Sequence, residues 1–357
     1  MKYVPSLNSL RFLGAMSVIF LHLGSYQLFA DRGLERWHIL ISGATGVALF
    51  FVLSGFLLTS LALDEVDRTG SFSFIRFFKR RASRLFPLYF AAIGLIGLLQ
   101  LLTVVSIPPT GYLYALAYSY NFVPTSGYVG QLGPFHTLST EEHFYLLFGL
   151  IFMLVSYLGR KTVWILIPAL FLLLAVSLDL FRPLFESFEA SYFVERWTPF
   201  AIKPILIGVL GAFVYKSPII RAKLAPFFVA ERSKSTGAAV LLVLFLALYL
   251  SQVVVPNIVL LSVGFLFLFA SLVLNQQSWA SRFLSNRVLV YFGTISYGLY
   301  VWSAVIIGTG PRSMLITSPV LAVATIFGLS ALSYQFLEKR FLKRRGTPAI
   351  SERKVLD

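Results

Sequence analysis

From residue 7 to residue 336 the chain returns repeatedly to apolar stretches about as long as a helix needs to cross a bilayer, roughly 20 residues. The stretches run near 7–29, 40–62, 86–106, 140–158, 162–179, 198–215, 236–254, 258–274, 291–309 and 319–336. Between them lies no polar block long enough to fold by itself. Hydrophobic residues make up 57% of the chain and charged ones 13%, half the charged share of an ordinary soluble domain, about 25%. The expected fold is all-α: a polytopic transmembrane helical bundle of about ten spanning helices. A shorter apolar piece, 111–123, contains Asn121 and runs into Pro124 and the glycine-rich stretch Gly127 to Gly133. It is expected to be a re-entrant or interfacial helix. One membrane domain, 1–338, is followed by a basic tail, 339–357, and the first apolar segment is expected to be retained because no small-residue cleavage signature follows it.

Orientation follows from the basic residues, which concentrate on the cytoplasmic side of membrane proteins. With a cytoplasmic N-terminus, ten crossings and 111–123 not crossing, all but six of the 30 Lys and Arg residues fall at cytoplasmic ends and loops. The exceptions are Arg32, Arg36, Arg182, Arg196 and Arg312 outside, and Lys203 within a span. Both termini are then cytoplasmic. The net charge of +15 is largely topology, so no nucleic-acid partner is expected. The chain has no cysteine and four histidines, which removes disulfides, thiolate sites and cysteine nucleophiles and argues against a metal centre. The outer loops, about 107–139 and 180–197, carry tyrosines suited to a headgroup layer or to a sugar.

Ionisable side chains inside a membrane cost several kcal/mol and are kept mainly for function or pairing. Arg11 and His22, eleven residues apart, project from one face of the first helix, roughly 16 Å apart along its axis. Snorkelling explains Arg11 alone; His22 has the titration range for proton transfer. Glu141, Glu142 and His143 sit at the outer start of the fourth helix, where Ser139 and Glu142 fit a capping box that accounts for one carboxylate. Lys79 to Arg84 lies just before the third helix. It either orients that helix on anionic lipid or, through Arg81 and Arg84 on one face, clamps a phosphate.

In this order the residues resemble the acyltransferase-3 family of integral membrane O-acyltransferases. Asn8-Ser-Leu-Arg11 with His22 is similar to its first-helix signature. Phe50 to Leu58 carries its Ser-Gly-Phe motif at Ser54, Gly55 and Phe56. Arg81-Ala-Ser-Arg84 leads into Pro87 and Tyr89, as its Arg-x-x-Arg segment does. His136 to Tyr145, Ile295 to Trp302 and Leu332 to Glu338 resemble three later motifs. Asn8 stands for a usual Asp, His136 for a Trp, Ser303 for a frequent His and Arg340 for a Pro.

The resemblance implies transfer of an acyl group, most often acetyl, from cytoplasmic acyl-CoA to a hydroxyl of a surface carbohydrate or glycolipid at a bacterial inner membrane. Acyl-CoA would be a co-substrate, with no bound cofactor and no metal. The expected catalytic residues are His22 and Glu141, and the acyl-CoA contacts Arg11, Arg81 and Arg84. Acceptor contacts are expected at Glu142, His136 and Lys203. Ser54 and Gly55 are expected to let helices approach rather than to react. With about 20 residues after the tenth span, a second step is expected to need a separate partner; membrane lipids surround the bundle, and self-association into a homo-oligomer is left open. The competing readings are a transporter or flippase for a lipid-linked glycan, for which no internal repeat is visible, and a structural subunit of an envelope complex.

Overall fold

The computed structural model describes residues 3–33, 42–186, 194–229 and 258–343. Among these the regular structure is helical, without strands. The first helix, α1 (Pro5–His22), ends where Gly24 adopts φ +85, a left-handed conformation that suits glycine. The chain then turns into a separate short helix, α2 (Ser25–Ala30), so the expected first span stops seven residues early. Then follow α3 (Gly43–Thr69), α4 (Phe74–Leu101), α5 (Pro109–Leu116), α6 (Phe135–Tyr157) and α7 (Arg160–Glu186). The second half contains α8 (Thr198–Ala201), α9 (Lys203–Lys216), α10 (Pro218–Val229), α11 (Ile258–Leu274), α12 (Trp279–Leu284), α13 (Arg287–Thr294) and α14 (Ser296–Ile306). The last helix, α15 (Pro319–Ser333), passes through a π-helical turn, Tyr334–Glu338, into α16 (Lys339–Lys343).

By length and composition, five helical stretches among the described residues can cross a membrane: α3, α4, Gly130–Tyr157 ending in α6, the first part of α7, and Pro319–Phe341. The pair α13–α14, bent by 57°, makes a sixth if it counts as one broken span. Ten crossings are therefore not established. The expected span 236–254 lies outside the described residues. The segment 198–215 splits after Ala201, leaving α9 with 14 residues, about 21 Å long. The apolar helix α11 has 17 residues. The 111–123 segment is not a crossing: α5 has eight residues, about 12 Å. It folds back on α4, with Tyr89 donating to the Ala115 carbonyl (2.8 Å) and Tyr112 to that of Ile93 (2.6 Å).

Two boundaries correct the sequence reading in ways that matter for the site. The helix α4 starts at Phe74, capped by Ser73, whose side chain accepts from the Arg76 amide. The basic run thus lies inside the helix, with Pro87 tolerated in its interior, instead of preceding it. Apolar content locates the span but not the helix, because Lys and Arg are good helix formers that continue it into polar surroundings. Likewise α6 starts at Phe135, so Ser139 is no N-cap. Its hydroxyl donates to the Phe135 carbonyl and accepts the Tyr120 amide, each at 3.1 Å, and the capping-box account of Glu142 falls away. At the C-terminal end Arg340, where the resemblance leads one to expect proline, leaves the helix free to run on to Lys343.

Close helix approach is built on small residues. A Cβ on Gly55 of α3 would lie 2.1 Å from the Ile205 carbonyl oxygen of α9, and one on Gly208 of α9 would lie 2.2 Å from that of Val52. Each helix thus needs a glycine where the other's backbone passes. One end of the bundle is stapled by charge. Asp64 meets Lys216 (2.5 Å), Asp67 meets Arg160 (2.5 Å), and Glu65 meets Arg80 (3.2 Å) and Arg76 (3.8 Å). The C-terminus of α3, the N-termini of α4 and α7 and the C-terminus of α9 therefore share one side, the side that the basic residues mark in the sequence.

Candidate functional site

Five helices leave a pocket between them, with about 620 Å³ of empty space counting its open mouth. Each wall is a stripe at helical spacing. Arg11 comes from α1; Val47, Phe50, Phe51 and Ser54 from α3; Arg81, Arg84 and Leu85 from α4; Thr137, Leu138, Glu141 and Tyr145 from α6; Ser296, Tyr297 and Tyr300 from α14. Arg76 and Arg80, one turn apart, face Glu65 at the stapled end, whereas Arg81 and Arg84 turn into the pocket. The basic run thus divides by helix face into a structural pair and a pocket pair.

The pocket holds three guanidinium groups and one carboxylate. Arg11 donates to Asn8 Oδ1 at 3.5 Å and lies within electrostatic reach of Arg81, Arg84 and Glu141. With Asn8 in place of an acid, its immediate neighbour offers a dipole and no countercharge. Arg81 sits over the ring of Tyr145, 5.2 Å from its centroid. Glu141 Oε1 accepts from Tyr145 at 2.6 Å and from the Ser54 hydroxyl, and Tyr145 lies 3.3 Å from Ser54 Oγ. A carboxylate, two hydroxyls and three cations therefore converge within the bundle. Such a site can hold an anion and move a proton between oxygens.

Four of the expected residues meet here: Arg11, Arg81, Arg84 and Glu141. The other four do not line the pocket. His22 lies at the far end of α1, and its buried Nδ1 makes no hydrogen bond to the described residues. It is within electrostatic reach of His136, whose Nδ1 donates to the Gly133 carbonyl at 2.6 Å. That bond fixes the His136 tautomer and leaves the lone pair on Nε2. His136 also lies within electrostatic reach of Arg196, which is buried with its guanidinium 4.6 Å from the Tyr128 ring centroid. A second polar group therefore gathers at the C-terminal end of α1.

Glu142 turns away from the pocket and is buried, its two oxygens without a hydrogen bond among the described residues, in reach of Arg81 and Glu141. His143 donates or accepts at Thr198 (2.7 Å) and stacks on Phe122, a packing role. Lys203 begins α9 outside the pocket lining. Ser303 returns its hydroxyl to the Tyr300 carbonyl (2.7 Å), so no base stands at that position. Sequence reasoning gave Ser54 a packing role and gave none to Tyr145, Thr137 and the two tyrosines of α14, all of which line the pocket. Tyr145 was within reach of it, since it follows Glu141 by one helical turn. Among the described residues no cluster of metal-ligating side chains occurs.

A family model described as an acyltransferase domain matches residues 4–334. A protein of Staphylococcus aureus (strain COL) named "Putative O-acetyltransferase" is 26% identical over 379 aligned positions, covering 99% of this chain and 59% of that protein. The O-acetyltransferase OatA of Staphylococcus aureus (strain NCTC 8325 / PS 47) is 27% identical over 372 positions, covering 96% of this chain and 58% of OatA. The chain thus spans less than two thirds of the length of the curated relatives it matches. No solved structure matches it. With its helical bundle, its motif residues around one pocket and a match over nearly its whole length, the chain belongs to the acyltransferase-3 family.

Proposed function

We propose that the protein is a membrane O-acyltransferase that takes an acyl group, most readily acetyl, from cytoplasmic acyl-CoA. It delivers the group to a hydroxyl of a surface carbohydrate such as an exopolysaccharide, an O-antigen or another envelope glycan. The observation that carries this reading is the convergence of Arg11, Arg81 and Arg84 on one pocket lined by a single carboxylate. Such a site is anionophilic, and guanidinium groups match phosphate geometry. The phosphates of acyl-CoA would occupy it from the stapled, basic side, with the thioester reaching toward Glu141, Ser54 and Tyr145. The family supports acyl transfer, and the names of the relatives support acetyl and a hydroxyl acceptor.

The acceptor would come from the opposite side, where His22 and His136 lie. His22 would take the proton that the acceptor hydroxyl loses, and His136, Glu142 and Lys203 would help to seat the sugar. In this arrangement the protein sits in the bacterial inner membrane with both termini cytoplasmic and uses acyl-CoA as co-substrate. The test is mass spectrometry of surface glycans from cells with and without the gene. Loss of one acyl mass per modified unit, restored by the wild-type gene, is expected; identical glycans would contradict the proposal.

A further inference from the structure

We propose that Ser54 is the nucleophile that carries the acyl group through the bundle as an ester, with Glu141 as its base; this deepens the acyltransferase reading and rests on it. Serines in apolar helices ordinarily return the hydroxyl to a carbonyl of their own helix. Ser262, Ser303 and Ser330 do so, bonding Ile258, Tyr300 and Ile326 at 2.6, 2.7 and 2.6 Å. Ser54 does not: its hydroxyl crosses between helices to Glu141 Oε1, 87 residues away, inside the pocket. A hydroxyl held on a carboxylate is the arrangement of an activated nucleophile and its base, and Tyr145, bonded to the same oxygen, orients the base.

The neighbouring residue gives the nucleophile a fixed position. Gly55 is locked against the α9 backbone at Ile205, so the turn of α3 that carries Ser54 has no room to shift. The same pocket carries Arg11 and Arg81, cations that offset the negative charge gathering on the thioester oxygen during attack.

The steps balance. Ser54 Oγ attacks the thioester carbonyl, its proton passes to Glu141, the C–S bond breaks, and CoA leaves as the thiolate, which takes a proton from water. In the second step the acceptor oxygen attacks the Ser54 ester. The acceptor's proton leaves through water toward His22, which releases it to the hydroxide left when the thiolate was protonated; the bond from Ser54 Oγ to the acyl carbon breaks, and Glu141 returns its proton to Ser54.

A covalent intermediate of this kind exchanges labelled CoA into acetyl-CoA with no acceptor present. The experiment uses the full chain in lipid nanodiscs, with acetyl-CoA and isotopically labelled CoA as probes, followed by peptide mass spectrometry. Wild type is expected to exchange and to yield a peptide carrying one acetyl group at Ser54. The Ser54→Ala variant is expected to lose exchange while its acetyl-CoA affinity stays within roughly threefold of wild type. Ser54→Cys, which restores a nucleophile, is expected to hold the acetyl group as a thioester. Acetyl at a different residue, or full exchange by Ser54→Ala, overturns the assignment and leaves the acyltransferase reading standing. Wild-type protein that neither binds acetyl-CoA nor exchanges overturns both.

Discussion

Replacing Gly55 and Gly208 by alanine, singly and together, tests how the bundle is held. An alanine Cβ at residue 55 would sit 2.1 Å from the Ile205 oxygen and 2.9 Å from the Val209 nitrogen. At residue 208 it would sit 2.2 Å from the Val52 oxygen and 2.9 Å from the Phe56 nitrogen. The obstacles are backbone atoms, which no rotamer change relieves. The helices must separate by roughly 1 Å, which forfeits a quarter to a half of the contact energy along the seam. Overpacking of this kind costs about 1–3 kcal/mol for either single substitution. Once one alanine has parted the helices, the second meets space already made. The double variant should therefore fall short of the sum of the singles by at least about 0.5 kcal/mol, the lower end of coupling between touching residues. The assay is reversible unfolding of the purified protein by SDS in mixed micelles, followed by tryptophan fluorescence. Near-neutral singles, or strictly additive ones, would refute the reciprocal glycine contact.

The acidic turn at the end of α3 makes a second test. Glu65 is nearly buried and accepts from the Ser73 amide at 3.1 Å as well as from Arg80, so Glu65→Ala should cost about 1–3 kcal/mol. Asp67→Ala, whose partner Arg160 is 65% exposed, should cost under about 1 kcal/mol; equal losses in the same unfolding assay would overturn the distinction. His22→Ala should lower kcat for acyl transfer to the glycan by roughly 10²–10⁴-fold, the range for a general base, while acetyl-CoA binding is unchanged. Wild-type turnover by that variant removes His22 from the chemistry.

Much of the site was legible because charge in an apolar segment is conspicuous. Arg11, Arg81, Arg84 and Glu141 stood out as ionisable groups against hydrocarbon, and the structure brings them to one pocket. Ser54 was not legible in the same way. A serine beside a glycine in a membrane helix reads first as a packing pair, and only the position of Glu141 on another helix shows that the two residues have different tasks. Gly55 packs, whereas Ser54 faces the pocket.

His22 shows the opposite limit. Its face on α1 was correctly related to that of Arg11 by helical geometry, but a shared face does not bring two residues into one cavity when they lie roughly 16 Å apart. Boundaries failed for a common reason. Hydropathy marks the apolar part of a helix, whereas α4 and α6 each begin earlier, in polar sequence that continues the same backbone hydrogen bonding. The break before α9 and the bend between α13 and α14 depend on tertiary packing. At Gly293 of α13, for instance, a Cβ would lie 2.0 Å from the Asn8 carbonyl of α1, a contact that no local pattern announces.

The central claim is that the arginine pocket receives acyl-CoA, and equilibrium binding tests it most directly. Acetyl-CoA would be titrated calorimetrically into the nanodisc-embedded wild-type protein and into Arg11→Gln, Arg81→Gln and Arg84→Gln. A charge-assisted hydrogen bond contributes about 1.5–3 kcal/mol, or roughly 10–150-fold in Kd. The account predicts saturable binding by wild type, displaced by CoA, and a loss of that order in each variant. Acetyl-CoA affinity that is the same with and without these three guanidinium groups would contradict it.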